Sequence, residues 1–322
     1  MSREIDEIPA VRTSFCLFQD PWWLNLTTAG HWDEALVANN QGVIARLPYR
    51  KMSRFGATIL TQPRFTPYAG PWFRASTAKA AKQVSERHKL TTELLSRLPR
   101  FDLFSQNLWP GSGDWLPFHW AGYSQRTGYT NWLRDLSSVD ALWKGLLETT
   151  RWEIRKAETR LKVAVSDDID RLCDLHERTF ARQGLRAPRE RAFLRRVVEG
   201  ALRHGHARIT LATDERGNAH AVNFLVFDDR SAHYLLGGTD PSYRGSGAAS
   251  LLVWDAIQFA AQHSKLFDFE GSMVEGIARF FRGFGPELIP VNHVYRTGRR
   301  AALGAALRDA AAALVGRPPL RL

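Results

Sequence analysis

Cysteine is nearly absent from this 322-residue sequence, which contains only Cys16 and Cys173. Two thiols cannot build a disulfide framework or a Cys-rich zinc centre, and a reducing cytoplasm is the expected compartment. Long apolar runs are missing too. The most apolar tail, residues 301–315, is interrupted by Arg308 and Asp309; it is too short to span a bilayer and reads as a C-terminal docking helix. The first seven residues mix charges around no apolar core, so no signal peptide is expected. Acidic residues are the minority charge, 33 against 44 Lys and Arg, leaving a net charge of +11. Such an excess suits an anionic partner: nucleic acid, a phosphate-bearing substrate or an anionic membrane surface. It also suits an arginine-rich coding bias.

What is present describes a well-cored chain, 44% hydrophobic with 11 Trp, long enough for two domains of ordinary size. The first half reads as strands and turns. Pro21 opens a short helix capped by Asp20, and Asn39 to Gly42 turns a hairpin. Three prolines make residues 61–72 an ordered loop. Ser76 is the expected N-cap of a helix reaching Leu98. A long helix over 140–161 carries Arg151 and Arg155 on one side, Lys156 and Arg160 on another, and interleaved glutamates that predict a solvated face. This helix is the expected domain boundary. It separates residues 1–139 from a second domain over 162–297, and 298–322 form a tail.

From Lys162 the order is β-α-α-β-β-β-α-β-α-β. Its centre is an apolar strand, 231–238, ending in Gly237 and Gly238, then a turn, a buried helix to His263 and a strand over 265–270. The turn, Arg244-Gly245-Ser246-Gly247-Ala248-Ala249, puts free backbone N–H groups and a helix N-terminus at one bend, which favours a phosphate. Gly237 and Gly238 would let a cofactor amide approach the backbone closely.

Arg244, Gly247 and Ala249 resemble the pyrophosphate loop of the GNAT acyltransferase superfamily. The element order is that of a complete GNAT domain. Further stretches resemble the Fem-like family, in which two GNAT-like domains stand in tandem. They are Thr66 to Gly70, Ile154 to Ala157, Thr179 to Leu185, Asp268 to Met273 and Phe280 to Gly285, and they look most like its bacterial BioF2-like acetyltransferase branch. The resemblance covers residues 14–297. It implies an α/β (α+β) fold of two tandem GNAT-like domains, each a mixed, mostly antiparallel sheet flanked by helices, the first a degenerate copy serving the acceptor. It implies transfer of an acyl or aminoacyl group to an amine, and it marks Tyr68 and Arg282 as acceptor-binding. Two departures count against peptidoglycan-bridge formation. Phe281 stands where the best-known members carry Lys, and no heptad segment supplies the helical-hairpin arm of some members.

Amide formation needs a neutral amine, a base and donors for an oxyanion. Asp268 and Glu270 alternate on one strand and so share a face at its end, where ligands enter open α/β sheets. Glu270 is the expected base or amine anchor, with His233 as rival base. Asp268 is an acceptor-side carboxylate or a structural one. Arg182 and Gln183 are expected to meet an acidic or phosphorylated acceptor. No metal and no permanently bound cofactor are expected. Three functions stay open: an acyl-CoA-dependent N-acyltransferase, an aminoacyl-tRNA-dependent transferase, and a non-catalytic binder of anionic surfaces or nucleic acid.

Overall fold

The computed structural model describes residues 12–54, 56–181, 191–271 and 273–298. The chain forms two compact units. One runs to Thr127 and takes up the chain again at Asn292, and the other spans Gly128–Val291.

In the first unit Pro21 opens α1 (Pro21–Thr28), but Asp20 does not cap it; its carboxylate accepts from the Ser14 hydroxyl. β1 (Trp32–Asn39) and β2 (Gly42–Arg54) form the expected antiparallel hairpin, with Gly42 at a φ of 98° that a side chain would strain. β3 (Ala57–Thr61) follows antiparallel to β2, and the short β4 (Trp72–Phe73) also pairs with β2. α2 (Ala80–Ser96) begins one turn later than predicted. Lys79 holds its N-cap position, while Ser76 accepts from the Ala78 N–H in a local turn. β5 (Leu103–Asn107) lies parallel to β3, so β3, α2 and β5 make a crossover over a core containing Leu47, Leu60, Leu94 and Phe104. α3 (Leu116–Trp120) is the last α-helix of this unit among the described residues.

The chain passes into the second unit within β6 (Ser124–Leu133). Next come α4 (Val139–Gly145) and α5 (Glu148–Glu158), where one continuous helix was expected. Leu146 and Leu147 are extended between them: Leu146 drops into the core and the Leu147 N–H bonds to the Gly283 carbonyl. The division at 127/128 and 291/292 therefore replaces the one predicted at 140–161. Strand pairing decides this, because β6 joins the sheet of the second unit well before the helices begin.

That sheet is built from β6, β7 (Lys162–Ser166), β8 (Ala207–Thr213), β9 (Ala219–Phe227), β10 (Ser231–Thr239) and β11 (Leu266–Asp268). Their order is β6-β11-β10-β9-β8-β7, and every pair is antiparallel except β10–β11. α6 (Ile169–Ala181) and α7 (Arg191–Arg203) follow β7. α8 (Ala248–His263) is the crossover between β10 and β11. It is buried along most of its length, as its sequence demands, and packs on Ala212, Ala221, Leu225 and Ala232. α9 (Glu275–Arg282) and β12 (Glu287–Thr297) end the described chain, and β12 from His293 pairs with β5 in the first unit. Both units thus contain a meander followed by one parallel crossover. The loop before α2 has prolines where the loop before α8 has glycines.

A bulge at Leu235 breaks the register of β10 against β9. It switches the faces of the strand: Ala232 and Tyr234 pack on the α8 side, whereas Gly238 meets α6. A Cβ on Gly238 would stand 2.6 Å from the Leu175 carbonyl carbon. Gly238→Ala should therefore lower the unfolding free energy by about 1–3 kcal/mol through overpacking. Gly276→Ala, with nothing within 4 Å of the added carbon, should be neutral or stabilise by up to ~1 kcal/mol. Urea denaturation of the two variants checks the contrast.

Candidate functional site

The turn between β10 and α8 is rigidly made. Asp240 accepts from the Ser242 N–H at 2.9 Å and is ion-paired to Arg178; that backbone hydrogen bond first, then the Ser242 hydroxyl and the Arg178 charge, hold its carboxyl below the usual range against the opposing effect of burial. Gly245 and Gly247 follow with φ of 78° and 77°, and Gly247 is the N-cap of α8. The Ser246 hydroxyl accepts from the Ala248 N–H at 3.3 Å. Other N–H groups of the first turn have no intrahelical carbonyl to reach and, with the helix dipole, suit an anion. Arg244 is exposed beside them. Gly247 does a second job: a Cβ there would lie 2.7 Å from the Glu153 carbonyl oxygen and 3.1 Å from the Ala157 Cβ. α5 is seated directly on the turn, and Glu153 also accepts from the Ser250 hydroxyl at 2.8 Å. A side chain at Gly247 would therefore disturb the fold as well as the cradle, because it strikes the α5 backbone.

Pairing between β10 and β11 covers only three rungs, the last being His233 with Asp268. Beyond it β10 runs on to Thr239 with β9 on one side and no β11 on the other, which leaves a gap between the strands. Glu270 stands at its mouth. The residue is not on the strand, as the alternation pattern suggested. β11 ends at Asp268, and Glu270 takes a left-handed φ of 62°, rare for a residue with a side chain. That conformation is held by its own N–H, which donates to Asp268 Oδ1 at 2.8 Å.

Around Glu270 the groups form a chain. His233 Nδ1 lies 2.7 Å from Glu270 Oε1, and His233 Nε2 lies 2.9 Å from Ser231 Oγ. His233 is wholly buried, whereas 12% of the Glu270 side chain is exposed. The order resembles a Ser–His–carboxylate triad, but here the carboxylate faces the opening and the serine is buried. Burial works to lower the His233 pKa; the hydrogen bond and charge of Glu270, with Asp268 and Asp228 behind, overcome it and leave the pKa raised. Asp268 is fully buried and accepts from Thr130 Oγ1 at 2.6 Å and Trp132 Nε1 at 2.8 Å. His233, Asp268 and Glu270 are all metal-ligating types, with ligand atoms within 4.8 Å of one another. Yet the Nδ1–Oε1 separation is that of a hydrogen bond, and both Asp268 oxygens already accept from the protein. The group reads as a proton-sharing cluster.

The structure gathers Glu270, His233 and Asp268 into one site and changes the parts they were expected to play. His233 is wholly buried, with Glu270 between it and the opening. Asp268, buried and bonded to Thr130, Trp132 and the Glu270 N–H, takes the structural one of its two expected parts. Gly237 and Gly238 serve packing as well: the Tyr234 hydroxyl folds over Gly237, and α6 closes on Gly238. Tyr68 is 3% exposed and packs edge-on against Trp109, so it belongs to the core of the first unit. Arg282 is exposed at the end of α9, with no ion pair among the described residues. Arg182, Gln183 and the tail helix over 301–315 lie outside the described residues. Sequence reasoning missed Ser231, Tyr234, Thr130 and Trp132. Thr130 and Trp132 alternate on one face of β6, two hydrogen-bond donors in its buried last four residues that needed a buried acceptor.

Residues 146–281 match the family model of an acetyltransferase (GNAT) domain. No curated protein sequence matches the chain significantly. Among solved structures, FemX superposes with a TM-score of 0.65 at 14% identity, over 86% of this chain and 91% of that one. L-PGS from Bacillus licheniformis gives 0.52 at 13%, over 86% and 88%. A tandem GNAT protein from the clavulanic acid biosynthesis pathway gives 0.50 at 12%, over 86% and 94%. At such identities the likeness is one of fold. The second unit contains a GNAT domain, and the mixed, mostly antiparallel architecture expected from the motifs is the one observed.

A raised histidine pKa stabilises the folded state fully below the unfolded pKa, and that share is lost as pH rises through the folded value. Unfolding free energy should therefore fall as pH is raised above about 6.5, the ordinary histidine value. In His233→Asn this part of the slope should vanish, whatever constant offset the substitution adds. Chemical denaturation across that range gives both slopes.

Proposed function

We propose that the second unit transfers an acyl group from a phosphate-bearing donor to a primary amine, forming an amide, with Glu270 removing the amine's proton. The observation that carries this reading is the coincidence of three features: a helix N-terminus open to phosphate, a gap between two parting parallel strands, and a positioned carboxylate at its mouth. The donor's phosphate would rest on the turn Arg244–Ala249, and its acyl arm would lie in the gap along β10. There the backbone beyond His233 has no β11 partner; the Thr239 N–H donates to Thr179 Oγ1 and the Gly237 carbonyl faces His176 Nδ1, which leaves the groups between His233 and Gly237 to bond the arm and the developing oxyanion. The amine nitrogen attacks the acyl carbonyl as its proton passes to Glu270. The bond to the donor's sulfur or oxygen then breaks, and the leaving group takes a proton. Tyr234, half-buried with its phenol pKa pushed up by burial, keeps its hydroxyl proton at neutral pH.

Acyl-CoA is the donor favoured by a compact turn for one pyrophosphate. An aminoacyl-tRNA donor is supported by α5, which sits on that turn. Its outer side carries Arg155 and Lys156, and Trp152 is 60% exposed with the Lys156 ammonium 4.8 Å from the ring centroid. A basic, aromatic face of this kind suits a nucleic-acid end. The dependence of donor affinity on salt separates the two, being steeper for a polyanion that contacts several cations.

Glu270→Gln keeps the volume and removes the base. It should lower kcat by about 10²–10⁴-fold with donor affinity unchanged. If Glu270 instead anchors the amine, the acceptor KM rises more than kcat falls. Arg244→Glu places a like charge at the cradle without touching α5. The donor KM should rise by about 10–100-fold, the equivalent of a charge-assisted contact, while the melting temperature stays put. Steady-state kinetics with each substrate varied in turn reads both variants, and full activity in Glu270→Gln would exclude the carboxylate from the chemistry.

A further inference from the structure

Beyond the last rung of β10 and β11, His233 with Asp268, the two faces of the sheet differ. His233, Asp268 and Glu270 meet on one face. The next residue along each strand direction, Tyr234 and Phe269, points to the other, where both pack with the core around α8. The strands part here, yet on the α8 side the space between them is closed by side chains. Phe281 of α9 reaches both rings: it lies edge-on to Tyr234 with centroids 6.0 Å apart, and 5.2 Å from the Phe269 ring. Phe281 is 5% exposed and Phe269 1%. Three rings from three segments thus bridge the closed end of the gap. Phe267 and Phe284 back the bridge, with centroids 4.8 and 5.8 Å from that of Phe269.

A donor arm that starts at the turn Arg244–Ala249 and follows β10 carries its acyl group as the leading end. That end advances towards the last rung, where Glu270 faces it on one side and the bridge on the other. We infer that Phe281 sets the length of the acyl group this site accepts, by closing the inner end of the gap. This rests on the acyl-transfer reading and deepens it by naming a residue that determines donor specificity. The bridge is apolar, so a short aliphatic chain is taken out of water against it. A longer chain has to displace buried rings packed from behind, which a close-packed interior resists.

The experiment uses straight-chain acyl-CoA thioesters, acetyl to octanoyl, with the full-length protein. Calorimetry without acceptor reads binding, and release of free thiol with a panel of primary amines (benzylamine, ethanolamine and lysine) reads turnover. In the wild type both should fall beyond a short chain, kcat/KM by about 10-fold or more for each methylene past the limit. Phe281→Leu removes the ring and keeps an apolar side chain; kcat/KM for the first excluded length should rise by about 10-fold. Tyr234→Leu opens the bridge from the other strand and should move the limit the same way, so the proposal stays testable if the α9 variant is unstable. Phe280→Leu is the control, because its ring meets Phe281 and Phe284 but neither Tyr234 nor Phe269 among the described residues. Circular dichroism confirms that each variant is folded. An unchanged length profile in the folded bridge variants, or the same shift in Phe280→Leu, overturns the proposal. A length limit in binding without any turnover keeps the bridge and sinks the acyl-transfer reading; turnover at every length does the reverse.

Discussion

A carboxylate with no exposure to water is stable only if hydrogen-bond donors replace the water it lost. Asp268 obtains them from three directions: the Thr130 hydroxyl and the Trp132 indole on β6, and the N–H of Glu270 two residues on. These bonds close the β6–β11 seam just where the regular ladder stops. They also hold Glu270 in a left-handed conformation that costs a residue with a side chain roughly 1–3 kcal/mol. The position of the Glu270 carboxylate is thus set by a neighbouring one. Without Asp268 the chain after β11 could take an ordinary extended path, and Glu270 would lose its meeting with His233.

Charge compensation follows from the same arrangement. Two carboxylates near one buried imidazole favour a proton on the histidine, and the raised His233 pKa expresses that preference. Ser231 completes the orientation of the ring from its far side. The cluster is thereby graded by depth, with Asp268 and His233 inside and Glu270 reaching the opening.

Several short stretches that carried the family resemblance prove to be places where a glycine backbone is closely approached by another segment. Gly247 admits the Glu153 carbonyl and Ala157, Gly283 admits the Thr150 hydroxyl, and Gly285 admits the Gly145 carbonyl. The fragments around 154–157 and 280–285 therefore seat α4, α5 and the end of α9 against one another and against the turn before α8. Small residues at such points are required by distance whatever the substrate is. This is why the motifs spoke clearly about fold and much less about the acceptor.

Local information was enough for the elements themselves. The apolar run of α8, the glycine turn before it and the order of strands and helices after Lys162 are properties of neighbouring residues, since periodicity and turn chemistry act over a few positions. They also singled out Glu270, Asp268 and His233. What each of the three does was not local. Their roles depend on burial, on a bulge at Leu235 that switches the faces of β10, and on β6 arriving from some 135 residues earlier in the chain with the two donors that Asp268 needs. The break at Leu146 and Leu147 is of the same kind, because a carbonyl at Gly283 and a core site for one leucine outweigh the helix propensity of the segment. Sequence pattern fixes which face of an element is apolar; only the assembled sheet decides which partner that face, or a lone carboxylate on it, will meet.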